Sequence, residues 1–175
     1  MTLPLRIYQP PAGRPPGQFL YVTHAAADRV RFSIRVRDVA HEDTNWGTEI
    51  PVVRDDQYFG QTFSLLGIPT DARFRQSLRI YESALEGKGR VEVKVFPMSD
   101  GPPLGTAVLD LPSQEPFIYN PGNAEILSLS DAFPAIRGAG NVRVEITPLT
   151  DGGAVWAFVS ITNNETQQVS LVTPQ

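Results

Sequence analysis

Three runs of alternating apolar and polar residues close the chain, and they constrain its fold more than anything before them. Val142-Arg143-Val144-Glu145-Ile146-Thr147-Pro148 is the first, and Asp151-Gly152-Gly153 then turns the chain. Residues 155–161 continue as a second run, Thr162-Asn163-Asn164-Glu165-Thr166 supplies another turn, and Val169-Ser170-Leu171-Val172 ends the series. Side chains on a strand point alternately to opposite faces, so a period of two with turn residues between runs predicts an antiparallel meander.

The same grammar recurs upstream. Leu3, Leu5 and Ile7 alternate, and Gln9-Pro10-Pro11-Ala12-Gly13-Arg14-Pro15-Pro16-Gly17 then forms a stiff, polyproline-like connector. Phe19-Leu20-Tyr21-Val22 is a short strand. Val30, Phe32, Ile34 and Val36 face one way, with Arg29, Arg31, Arg35 and Arg37 opposite. Further strands are expected at residues 50–53, 63–66, 77–81, 91–96, 104–111, 117–119 and 126–129. Residues 77–81 and 91–96 read as a pair around Gly87-Lys88-Gly89. Pro51 suits an edge position, where its missing N–H costs no ladder bond. One helical turn is expected at Leu129-Ser130-Asp131-Ala132-Phe133, stopped by Pro134. Spacing of about 10 residues between strands is the rhythm of a sandwich or barrel. The expected fold is therefore all-β: an antiparallel β-sandwich, immunoglobulin-like or jelly-roll-like, with little or no helix. Residues 1–17 form an N-terminal strand and proline-rich arm, and residues 18–175 a single domain.

Composition narrows the chemistry. The formal net charge of −4 argues against nucleic acid as the main partner, because a duplex binder carries a basic balance. Cysteine is absent, which removes disulfides, thiolate metal sites and cysteine nucleophiles together. No apolar run approaches the roughly 20 residues of a membrane span, so membrane insertion is not expected. The segment Met1-Thr2-Leu3-Pro4-Leu5-Arg6 lacks the basic and apolar regions of a signal peptide.

Candidate sites are few. Asp38, His41, Glu42 and Asp43 follow the arginine-bearing strand, and Asp55 and Asp56 lie in a second loop. Their spacing matches no calcium loop, and His24 and His41 are the only imidazoles for zinc. No cofactor and no resident metal is expected. No serine sits in a G-x-S-x-G elbow. Glu92, Glu145, Asp110 and Glu115 supply carboxylates for glycoside hydrolysis, but Glu92 and Glu145 read as outward members of alternating strands. The sequon Asn164-Glu165-Thr166 falls in a turn.

Two surfaces fit binding better. Trp46 and Tyr58, with Asn45, Asp55, Asp56 and Gln57 as hydrogen-bonding neighbours, make a loop platform suited to sugar rings. Trp156 suits that role less: it shares a face with Phe158 while Val155, Ala157 and Val159 fill the other, as expected of a central strand. Arg29, Arg31, Arg35 and Arg37 place like charges on one strand face, as an anion or partner surface or an edge guard. Glu82, Glu92 and Glu145 are the acids expected to answer them.

The segment 154–166, followed by residues 169–174, resembles the closing hairpin of β-sandwich modules in secreted or surface bacterial proteins. Asp100-Gly101-Pro102-Pro103-Leu104-Gly105-Thr106 is similar to an internal turn of the same modules. Thr162-Asn163-Asn164 stands where those modules usually carry an acidic residue before asparagine. The resemblance implies export and a scaffolding or adhesive role, and carries no catalytic residue. The expected function is a non-catalytic binding or structural module of an exported or cell-surface protein, contacting a glycan or protein partner. The alternative is a small hydrolase or metal-dependent enzyme with a site near His41, Asp43, Asp55 and Asp56.

Overall fold

Where apolar residues alternate with polar ones, the chain is strand. The computed structural model describes residues 6–7, 20–21, 31–36, 47–83, 88–112, 123–126 and 128–175. It divides into two units, Met1–Ile34 and Arg35–Gln175. In the first, β1 (Arg6–Ile7) pairs antiparallel with β2 (Leu20–Tyr21). The strand expected from Val30 is shorter than its alternation suggests. Exposure alternates from Arg31 to Arg35, yet only β3 (Ile34–Val36) is laddered, with β4 (Thr48–Ile50). Pro51 lies just past β4 rather than inside a strand at 50–53, so its missing N–H breaks no ladder.

The second unit carries two four-stranded antiparallel sheets. In one, β5 (Phe63–Pro69), β10 (Asn141–Pro148), β7 (Lys88–Pro97) and β8 (Gly105–Pro112) lie side by side in that order. In the other, the order is β12 (Val169–Val172), β11 (Val155–Asn163), β6 (Phe74–Glu82) and β9 (Asn123–Ile126). The fold is all-β and antiparallel, as expected. The neighbour relations are not a meander. β10 has β5 on one side and β7 on the other, so both its edges are taken when the chain leaves it. The Asp151-Gly152-Gly153 turn, closed by the Gly153 amide on the Thr150 carbonyl at 2.9 Å, therefore delivers β11 to the other sheet. Likewise β6 and β7 do not pair with each other. β11 and β12 do form the expected hairpin, and so do β7 and β8.

Both sheets contribute to a single core. β6 turns Gln76, Leu78, Ile80 and Glu82 inward, β7 Val91, Val93 and Val95, and β10 Val142, Val144 and Ile146. Each fully buried aliphatic side chain is worth about 1.5–3 kcal/mol against exposure. β11 is buried on both faces from Val155 to Val159, as its double-sided apolar pattern predicted for a central strand.

Among the described residues, one short α-helix interrupts the strands. α1 (Leu129–Ala132) starts where the Ser128 hydroxyl accepts the Asp131 amide, and Pro134 begins a 3-10 turn immediately after it. The expected strand at 126–129 thus ends at Ile126. The helix is held by Gln76, whose side chain is almost wholly buried: Nε2 donates to the Pro69 and Phe74 carbonyls, and Oε1 accepts from the Ser130 hydroxyl. The proline-rich segment 9–17 and the strand expected at 117–119 lie outside the described residues.

Candidate functional site

The chain after β4 is steered by its caps. Arg54 leads a 3-10 turn, Asp55–Gln57, and its amide donates to Gln57 Oε1 at 2.9 Å, holding that carbonyl oxygen and leaving the amide NH2 free to donate elsewhere. Two residues on, Phe59 exchanges both backbone hydrogen bonds with Val155, at 2.8 and 3.0 Å, and stacks on Phe63 with ring centroids 4.6 Å apart. That bridge pins the segment against the start of β11, where Trp156 stands. From the other side, the Thr48 hydroxyl donates to the Val169 carbonyl at 2.7 Å, tying β4 to β12, whose continuation is Thr173-Pro174.

These ties enclose a shallow cleft of about 260 Å³. Its apolar lining is Pro51, Val52, Val53, Phe59, Trp156 and Pro174, and its polar groups are the Gln57 amide and the Thr173 hydroxyl. Among the described residues, no ionisable side chain lines it. Val52 is half-exposed at 50%, whereas Trp156 is only 8% exposed. Trp156 belongs to a cluster with Tyr81 and Phe158, at centroid separations of 5.6–6.3 Å. Aromatic contacts of this kind hold a ring in place beyond its buried area.

The expected platform residues divide accordingly. Gln57 is brought to the cleft. Asp56 is exposed on the same turn and Tyr58 is half-buried beside it, and neither lines the cleft. Asn45, Trp46 and the side chain of Asp55 lie outside the described residues, as do His24, Asp38, His41, Glu42 and Asp43. The tryptophan that does line the cleft is Trp156, the one the sequence reading set aside. Its signal was available: a strand apolar on both faces has an outer face that must meet something besides the core.

Of the arginine face, Arg29 and Arg37 lie outside the described residues, and Arg31 and Arg35 are exposed. The acid opposite Arg35 is Glu49 on the neighbouring β4, at 3.9 Å. The acids expected to answer the stripe are engaged elsewhere: Glu92 pairs with Lys94 at 2.6 Å, Glu145 with Arg143 at 3.1 Å, and the Glu82 carboxylate accepts the Gly89 amide at 3.2 Å. Both ion pairs join residues two apart on one strand, hence on one sheet face; across the sheet Glu145 lies opposite Lys94 and Arg143 opposite Phe96, whose ring the guanidinium covers at 4.5 Å. The sequon residue Asn164 already donates its side-chain amide to the Ala72 carbonyl at 3.0 Å.

Two carboxyls have displaced acidities. Hydrogen bonds from Arg73 hold Asp71 below the usual aspartate value, and burial pushes Glu82 above the usual glutamate value. Neither lines the cleft. Among the described residues, no three His, Asp or Glu side chains gather as a metal site would require. Among them, too, no helix is long and apolar enough to cross a membrane. The chain matches no protein-family model, no curated protein sequence and no solved structure.

Proposed function

We propose that this chain is a non-catalytic binding module of an exported or cell-surface protein. In this reading its two sheets face each other as a β-sandwich of the immunoglobulin-like or jelly-roll-like kind. Its partner docks in the cleft between Val52, Gln57, Trp156 and Pro174. The observation that carries the reading is the lining of that cleft: six apolar residues, Gln57 and Thr173 as the polar ones and, among the described residues, no ionisable one. Such a lining favours an uncharged partner with an apolar face and a hydrogen-bond acceptor, which is a neutral glycan or an uncharged peptide segment. Among the described residues that line it, none is an acid or a base of the kind that turns a ligand over.

The test is a glycan array and a peptide array probed with the wild type, Val52→Asp and Gln57→Glu. Val52→Asp places a charge at the exposed rim, and Gln57→Glu keeps the oxygen that accepts the Arg54 amide while removing the donor. Neither change touches a core residue. A ligand bound by the wild type and lost at least tenfold in both variants supports the module. Binding that both variants retain, or its absence from every array, removes the cleft as the site. A divalent-metal thermal-shift arm with His41→Ala tests the enzymatic alternative in the same experiment.

A further inference from the structure

Glu82 is the buried ionisable group that the cleft leaves unused. It ends the inward row of β6 and is 1% exposed. Its Oε2 accepts the amide of Gly89, the second residue of β7, at 3.2 Å. β6 and β7 belong to different sheets, so this hydrogen bond ties the two sheets at one end. The carboxyl occupies the space beside Gly89: a Cβ built there would collide with both carboxylate oxygens and the carboxyl carbon. A side chain at position 89 would displace the carboxyl from this position.

The surroundings offer the carboxylate little compensation. On β6, Arg79 faces outward, in register with Phe158 and Glu125. On β7, Arg90 reaches Asp110 of β8 at 3.1 Å, and Glu92 reaches Lys94, both pairs on the outward face. β10 keeps its Arg143–Glu145 pair outward, and β11 carries no charged residue. Among the described side chains of these strands, which do not include that of Lys88, no cation faces Glu82.

We propose that Glu82 is a pH-responsive tie between the sheets, holding the end of β6 to the start of β7 more tightly under mildly acid conditions than at neutral pH. Charge on a buried carboxyl with one hydrogen-bond donor costs desolvation energy, and protonation relieves it. Opening this end returns the carboxyl to water, where it holds its proton less firmly. The closed state therefore gains on the open one as pH falls and loses as pH rises through the native acidity of Glu82. Strand ends are where such local opening is cheapest.

The test is amide hydrogen exchange at Gly89 in the full chain from about pH 4 to about pH 8, corrected for the intrinsic rate, beside Glu82→Gln. In the wild type, protection of Gly89 should fall with rising pH by up to about tenfold for each pKa unit by which Glu82 exceeds the ordinary value. In Glu82→Gln, which keeps the acceptor and loses the proton equilibrium, it should stay flat. A 13C carboxyl titration of the wild type gives the Glu82 midpoint directly and does not depend on the variant folding. A midpoint above the ordinary glutamate value supports the tie. A midpoint at or below it, or a Glu82→Gln profile that matches the wild type, overturns it.

Discussion

At the residue scale, individual side chains are set by what their nearest neighbours leave open. Gly105 begins β8 against the face of Phe133, and a Cβ there would stand 2.5 Å from Phe133 Cδ1. Gly105→Ala must push a buried ring, so urea unfolding should show a loss of about 1–3 kcal/mol. Glu82 and Asp71 act in opposite senses on stability. The native pKa of Glu82 is raised, so its contribution is fully present below the ordinary glutamate value and lost as pH rises through the native one. That of Asp71 is lowered by Arg73, so its contribution is present above the ordinary aspartate value and lost as pH falls through the native one. Because Asp71 is exposed, solvent screens its share. Glu82→Gln should accordingly raise the denaturant midpoint at pH 7 and leave it nearly unchanged at pH 4. A midpoint that falls at pH 7 would contradict the burial argument.

At the element scale, strands were legible and their lengths were not. The period of two in residues 91–96 and 142–148, and the apolar run between turns at 155–161, were enough to locate β7, β10 and β11. β3 shows where the signal misleads: Arg31 to Arg35 alternate in exposure, but alternation is a property of side chains and a strand also needs a backbone partner. β5 is longer than expected because Gly67, at φ +73°, absorbs a bulge, and pairing with β10 resumes beyond it at Ile68 and Pro69. α1 was legible at residues 129–133, where Pro134 stops one turn; its Ser128 cap was not. Its anchor was not, since nothing near Gln76 in sequence announces Ser130 as its partner. Replacing Gln76 with Leu would leave the Pro69 and Phe74 carbonyls and the Ser130 hydroxyl without that partner. The expected cost is about 2 kcal/mol, seen in urea unfolding together with faster amide exchange at Phe133. Unchanged exchange at Phe133 would mean that the helix is held by Leu129 alone.

At the scale of the molecule, the order of strands departs most from the order of the chain. Of the seven connections from β5 to β12, five pass from one sheet to the other and only β7–β8 and β11–β12 stay within one. Most of the pairings are therefore non-local, and loop closure must be paid for before they form. Stopped-flow refolding followed by tryptophan fluorescence should have a main phase no faster than about milliseconds. A main phase in microseconds would indicate that local hairpins dominate the barrier.

Alternation between apolar and polar residues determined by itself that the chain is all-β, which positions face the core and where it turns. It determined the doubly buried character of β11 as well, because a strand without a polar face needs cover on both sides. Only the tertiary structure decided which strands are neighbours. Backbone N–H and C=O groups are alike at every position, so a period of two specifies a face and not a partner. The cleft follows from that second decision. Residues 51–57, Trp156 and Pro174 come from separate stretches of the chain, and they meet because Phe59 bridges Val155 and Thr48 reaches Val169.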